Sequence, residues 1–292
     1  NISALEMLSS RFQDLEISTN ADELIESDSL DAIAVCTPVE THLNFVEKAL
    51  RAGKHVFVEK PLCRSLDELQ IIKSTLDAAD GGLALWSNLI LRAAPLFQWL
   101  RTELRSGGLG QLYAVDGDYL YGRIEKIVDG WRSTVDDYSV VFGGGVHLVD
   151  MLLWLTGERP SVVTAASNRI CTADTVFRYD DFVAATLEFD SGLVARITAN
   201  FGCVHSHQHV LRLFGTEATF LYDDRGARMH RSRDADRICE EIGLSAHTGS
   251  KADLIPDFLS CISSGRSGVE ETQTFLDSVS VCAAIDLARQ SR

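Results

Sequence analysis

Two stretches of the sequence put proton-transfer chemistry where a chain usually puts a plain turn. The first is HVFVEKPL, residues 55–62, which sets Glu59, Lys60 and Pro61 directly after an apolar, β-branched run. Proline cannot continue a strand ladder and restricts the residue before it, so Pro61 fixes the turn and holds Lys60 extended. A lysine held at the mouth of a crevice is partly desolvated, which lowers its pKa and suits it to moving protons. Glu59 can accept hydrogen bonds from ribose hydroxyls. An isolated Glu-Lys-Pro, by contrast, is more often a surface pair that ends a strand. The second stretch is GGGVHLVDMLLWLTG, residues 143–157. Its glycines let backbone approach a ligand closely, and His147 then falls in the first turn of an apolar helix. The positive end of the helix dipole disfavours the imidazolium there and keeps a neutral base at hand. Asp150, three residues on, shares roughly that face and can orient the ring or bind a hydroxyl. The competing reading is a helix-start histidine that fills a polar gap.

Further stretches offer binding groups. HSHQH, residues 205–209, places His205, His207 and His209 at alternate positions, hence on one face of a strand. Such imidazoles can ligate zinc. Cys203 shares the face, but no cysteine or carboxylate at ligand spacing completes a set, so no metal is assigned and a substrate-facing or interface strand is expected. DYLYGRIEKIVDGWR, residues 118–132, puts Tyr119 and Tyr121 on one strand face, followed by Arg123 and Trp131. Flat rings stack on sugars, and arginine suits a phosphate or carboxylate; core packing and solvated charge explain the same residues equally well. Arg132, Arg169 and Arg178 are candidates for an anion pocket that would point to a nucleotide sugar.

The elements that must position these groups come in two regimes. Up to about residue 110, strands at 31–37, 55–60 and 81–88 alternate with helices at 41–53, 65–79 and 95–108. The 41–53 helix carries Leu43, Val46, Ala49 and Leu50 on one face, and the 65–79 helix opens on Ser65 with Glu68 three residues later, a capping box. Strands separated by helices of this length imply parallel pairing and right-handed crossovers. Ligands bind such sheets beyond the carboxyl ends of the strands, where Thr37-Pro38 and Glu59-Lys60-Pro61 stand. Beyond residue 110, strands are expected at 113–122, 161–170, 182–189, 193–201 and 209–215, with a hairpin around Asp190-Ser191-Gly192. Helices at 253–265 and 272–290 close the chain and are free to pack back on the first part. The expected fold is α/β: a partial Rossmann-type doubly wound parallel sheet in residues 1–110, and in 111–292 an α+β domain with a large, mainly antiparallel open sheet for substrate binding and oligomerisation.

Composition narrows the function classes. With 27 Lys and Arg against 42 Asp and Glu, the 292-residue chain carries a net charge of −15, which argues against a broad nucleic-acid face. No apolar run approaches the ~18–20 residues of a membrane span. The seven cysteines are odd in number and scattered without a CxxC pair, which favours reduced thiols and a cytoplasmic setting.

DAIAVCTPVETH, then KALRAGKHVFVEKPL, then GGGVHLVDMLLWLTG, in this order and spacing, closely resemble the Gfo/Idh/MocA family of NAD(P)-dependent oxidoreductases. The resemblance implies NAD or NADP as cofactor, a sugar or nucleotide-sugar substrate and a homodimer or homotetramer. It implies that Thr37, Pro38 and His42 line the dinucleotide site, and that Glu59 and Lys60 contact the nicotinamide ribose. Lys60 would also reach the substrate hydroxyl, with His147 as its partner, and Arg92 would lie near cofactor or substrate. Two departures stand out. Many members carry an Asp four residues before the histidine, where this chain has Gly143. No G-x-G-x-x-G occurs in the first thirty residues; NISALEMLSSRF instead resembles the helix after the family's second strand, so an N-terminally shortened dinucleotide domain is expected. The alternatives are a glycoside hydrolase that uses the cofactor transiently and a non-catalytic sugar- or protein-binding relative.

Overall fold

The computed structural model describes residues 2–79, 82–234, 236–264 and 268–290. Helices α1 (Ile2–Arg11) and α2 (Ala21–Glu26) precede the first sheet, and α1 buries none of its residues. Strands β1 (Ala32–Val35), β2 (His55–Val58) and β3 (Leu85–Ser87) then pair in the parallel order β1-β2-β3. Between them run α3 (His42–Arg51), which buries Val46, Ala49 and Leu50, and α4 (Leu66–Ala78). Ser65 caps α4 by accepting the Glu68 amide at 3.2 Å. Only half of the expected capping box forms, because the Glu68 carboxylate accepts the Arg64 amide at 2.8 Å rather than that of Ser65. The strand expected over 81–88 shortens to β3; Gly81 lies outside the described residues. Helix α5 (Pro95–Arg105) starts on its proline, where a missing N–H costs nothing.

The second sheet has eight strands: β4 (Leu112–Leu120), β5 (Pro160–Asn168), β6 (Phe182–Phe189), β7 (Val194–Asn200), β8 (Gln208–Gly215), β9 (Thr219–Asp223), β10 (Gly226–His230) and β11 (Glu240–Ile242). Their order is β11-β10-β9-β8-β4-β7-β6-β5. The β6–β7 hairpin turns at Gly192, whose φ of +87° suits a residue without a Cβ. Strand β4 sits centrally, antiparallel to β8 but parallel to β7, so the sheet is mixed. Strands β9, β10 and β11 extend it beyond the five expected strands.

Helices α6 (Glu125–Val128) and α7 (Val146–Thr156) follow β4, and α8 (Ile255–Ser263) and α9 (Val269–Gln290) close the described chain. The closing helices join the two sheets. Phe258 of α8 meets Phe57 of β2 at 5.5 Å and Trp86 of β3 at 5.8 Å. In α9, Thr272 accepts the Leu85 amide at 3.0 Å and Phe275 packs on Trp86, while other turns of the helix pack on α7 and β5. No helix among the described residues is long and apolar enough to cross a membrane, and none of the seven cysteines forms a disulfide.

Candidate active site

The three parallel strands end at one level, and their first loop residues are tied together. The Glu59 amide donates to the Val35 carbonyl and the Asn88 amide to Val58, which continues the ladder past the strand ends. The Asn88 side chain donates to Glu59 Oε1 at 2.9 Å and to the Lys251 carbonyl at 3.0 Å. His42 is buried, and its two ring nitrogens lie 2.9 Å from the carbonyl oxygens of Thr37 and Pro61. The ring therefore fastens the turn after β1 to the turn after β2, and Thr41 adds a 2.8 Å bond to the Thr37 hydroxyl. Above these ends opens a cleft of about 860 Å³, lined among others by Thr37, Pro38, Glu59, Lys60, Trp131 and Tyr138.

Lys60 points across the cleft rather than out of it. Its Nζ donates to the Gly143 carbonyl at 2.8 Å, joining the first sheet to the turn before α7. That turn, Val141–Gly145, is a wide π-helical turn, a form that recurs at functional sites. Burial pushes the lysine down to about 8, Arg132 and Lys251 add to the fall, and Glu59 opposes it.

The glycines of the turn are packing requirements. A Cβ on Gly143 would overlap the Tyr138 hydroxyl, and one on Gly144 would overlap the Tyr119 ring. So Tyr138, held by a 2.9 Å bond from Arg132 Nε, occupies the space into which an acidic side chain at 143 would project. Burial pushes its phenol up to about 12, so it faces the cleft as a neutral hydroxyl. Nothing in the sequence marked Tyr138. Gly144→Ala is expected to cost about 1–3 kcal/mol through overpacking against Tyr119, measured as a lower urea midpoint; an unchanged midpoint would show that the ring yields freely.

His147, 8% exposed, stands at the start of α7, and its buried Nδ1 has no hydrogen-bond partner among the described residues. Burial first, then the charge of Lys60 and the neighbouring His209 and His207, hold its pKa well below the ordinary histidine value. The sequence expectation rested on the helix-start position, whereas the causes at work here are desolvation first and neighbouring positive charge second. His207 and His209 share this environment. Burial and nearby positive charge take His207 down to about 4, and burial and His207 take His209 down to about 3. The unfolded chain binds protons at these sites from near pH 6.5 downward while the folded chain does not, so their neutral burial costs stability as pH falls through that range. The urea midpoint is expected to drop between about pH 6.5 and pH 4, and less steeply in His207→Gln; an equal slope in both would contradict it.

Several expected site residues lie elsewhere. Arg92 and Asp150 are 5% and 1% exposed and bind each other, Nε to Oδ2 at 2.9 Å with a second parallel bond, and Ser278 also donates to Asp150. Arg92 faces a separate cavity beside Trp86 and Trp154 and stacks on Phe275 at 3.8 Å. Neither residue reaches the cleft: a buried charge is tolerated where it is paired, and these two pair with each other. Tyr119 and Tyr121, 3% and 6% exposed, are the aromatic floor beneath His207 and His209 rather than an open stacking surface. Trp131, 52% exposed, does present a face at the cleft rim. Arg123 is exposed and lies 5.7 Å over Tyr121. His205 departs from the expected trio: it precedes β8 and binds Asp224. Arg169 and Arg178 donate to the carbonyls of Phe177 and Val135, with Asp136 also 3.8 Å from Arg178, and of the three arginines of the expected anion pocket Arg132 is the one that lines the cleft. Among the described residues no group of three or more histidine, cysteine or acidic side chains is placed to hold a metal.

Residues 5–84 match the family model for an oxidoreductase family with an NAD-binding Rossmann fold, and residues 97–221 match that for the GFO/IDH/MocA C-terminal domain. The chain belongs to the GFO/IDH/MocA family. It is 25% identical over 241 residues to the scyllo-inositol 2-dehydrogenase (NAD(+)) of Bacillus subtilis, covering 81% of this chain and 64% of that one. It is 28% identical over 183 residues to the 1,5-anhydro-D-fructose reductase of Ensifer adhaerens, covering 61% and 53%. The matched stretch thus spans about half to two thirds of these GFO/IDH/MocA relatives' own length. The fold is that of an oxidoreductase domain protein from Kribbella flavida, with a TM-score of 0.84 at 20% identity over 99% of this chain and 86% of that one. The cleft fits the nicotinamide and ribose end of the dinucleotide this family binds: it opens at the carboxyl ends of a parallel sheet and carries the Glu59 carboxylate next to the Lys60 amine.

Proposed function

We propose that the protein transfers hydride between a nicotinamide and the hydroxyl-bearing carbon of a sugar or nucleotide sugar. The supporting observation is Lys60, an amine lowered to about 8 at the strand-end cleft and electrically coupled to a neutral His147. NAD or NADP, when bound, would supply the hydride acceptor or donor. Glu59, steadied by Asn88, is the acceptor for ribose hydroxyls, and Thr37, Pro38 and His42 shape the wall beside it. Lys60 takes the hydroxyl proton on Nζ in oxidation and returns it in reduction. The two bases divide the work: His147 disfavours its own imidazolium so strongly that it suits accepting a hydrogen bond and orienting the hydroxyl, while Lys60 holds the proton. The Trp131 face offers a surface on which a sugar ring stacks. A homodimer or homotetramer belongs to the same reading.

Two relatives are named for dehydrogenating an inositol and reducing an anhydro sugar, so polyols and sugars come first in a screen, with nucleotide sugars after them. Reduced-nicotinamide absorbance is expected to grow when one of these is offered with NAD or NADP. Glycoside cleavage with no net change in that absorbance would replace the dehydrogenase with a hydrolase that uses the cofactor transiently. Ligand binding without any turnover would make the protein a non-catalytic relative.

A further inference from the structure

His209 of β8 and His207, the residue just before that strand, lie beside His147, and hydride transfer at Lys60 uses neither of them. The rings of His207 and His209 lie 5.0 Å apart, and His209 lies 5.3 Å from His147. The buried Nε2 atoms of His207 and His209 and the buried Nδ1 of His147 all lack a hydrogen-bond partner among the described residues. A buried polar atom left unmet costs about 1–3 kcal/mol, so three in one patch mark a place that a ligand's polar atoms would complete.

The surrounding charge says which kind of ligand. The Arg123 and Arg132 guanidinium groups lie 5.7 and 5.6 Å from the centre of the Tyr121 ring, and His207 packs on the same ring at 5.6 Å. Arg132 donates to a phenol and Lys60 to a carbonyl, so neither bond neutralises the charge. Elsewhere in this acidic chain arginines meet carboxylates, as in Arg64–Glu68, Arg196–Asp116 and Arg228–Asp223. The charges that act on His207 are those of Arg123, Lys60, His247 and Lys126; on His209 they are His207, Lys60 and His247. No carboxylate is among them. Glu59 offsets part of the charge on Lys60, but Arg123 and Arg132 form no ion pair among the described residues; two guanidinium groups without a carboxylate beside unmet imidazoles, in a chain with 42 acidic residues, fit an anion supplied from outside.

We propose that His207, His209 and Arg123 form a subsite for an oxyanion, carboxylate or phosphate, carried by the sugar substrate beside the Lys60–His147 pair. The proposal rests on the oxidoreductase reading for the reacting end of the sugar. Neutral imidazoles each donate one hydrogen bond to the oxyanion, and the guanidinium adds charge-assisted bonds. The anion in turn favours the imidazolium, so binding draws protons from solution and tightens as pH falls below neutral.

Isothermal titration of the whole chain, with and without NAD, compares D-glucuronate, D-glucose 6-phosphate and D-glucose. One of the two anionic sugars is expected to bind at least about tenfold more tightly than glucose, a gap of about 1.4 kcal/mol, and which one does so identifies the oxyanion. Proton uptake, read from buffers of different ionisation enthalpy, accompanies that binding. His207→Gln and, separately, the surface substitution Arg123→Gln are expected to remove the preference without lowering the melting temperature. Equal binding of all three sugars, no binding of either anion, or a preference that survives both substitutions would overturn the subsite. Turnover is scored apart: oxidation of glucose with no anionic preference removes the subsite and leaves the oxidoreductase, whereas anion binding with no turnover of any sugar does the reverse.

Discussion

Lys60→Met is expected to lower kcat for sugar oxidation by about two to four orders of magnitude, the usual cost of losing a general base. Methionine keeps most of the apolar stem but removes the amine that donates to Gly143 and carries the proton. The effect falls on kcat more than on KM, because the substrate's hydroxyls keep their other partners. The pH profile separates this role from simple packing. Oxidation needs the neutral amine, and Lys60 is lowered to about 8, so wild-type turnover rises through that pH and levels above it. The residual activity of Lys60→Met should show no such rise. Lys60→Arg restores the charge without a usable base and should stay as slow as the methionine form. Steady-state kinetics on all three proteins settles it; near-wild-type turnover in Lys60→Met would remove the lysine from the chemistry.

The second large effect concerns stability. Asp150→Ala is expected to cost about 3–5 kcal/mol, because it strands a buried guanidinium that has no other ion-pair partner among the described residues. Arg92 is held on one side by the carboxylate and on the other by the Phe275 ring, with Ser278 completing the carboxylate's shell. The pair links the turn after β3 to α7 and α9, so its loss should loosen the junction between the two sheets. Urea unfolding gives the size of the loss. A drop below about 1 kcal/mol would show that the pair is solvated like a surface bridge. A rise in sugar KM at unchanged stability would return Asp150 to the binding site.

The first sheet was legible because its signals are local. Alternating apolar strands, a serine cap at Ser65 and a proline after Lys60 each act within a few residues, and they fix β1, β2, α3 and α4. That Lys60 works beside His147 was an expectation of the family resemblance alone, and the bond from its Nζ to the Gly143 carbonyl was not foreseen, since 83 residues separate the two ends of that bond. The parallel β4–β7 pairing carries no local mark, because the hairpin signals describe only neighbours in sequence. TFLYDDRGARMH holds β9, a turn and β10, with Gly226 at a φ of +82°; the Asp-Asp-Arg-Gly turn was the available signal. Arg92 and Asp150 were misplaced for a different reason. Charged residues near a motif suggest a site, and only coordinates show that the two satisfy each other. Tyr138 went unnoticed because a tyrosine in a polar loop has no pattern, although it fills the space beside Gly143. His207 and His209 were expected on one strand face, but the positive groups that act on them, Arg123, Lys60 and His247 among others, come from separate segments of the chain.

Titration of the Lys60 side chain by NMR, with its signal assigned by absence from Lys60→Met, bears most directly on the cleft. A midpoint near 8, with the His147 ring shifting at the same pH as the neighbouring charge disappears, is the expected result. A lysine that titrates close to its ordinary value near 10.4, with His147 indifferent to it, would mean that the amine lies in open solvent and that the two residues share no site.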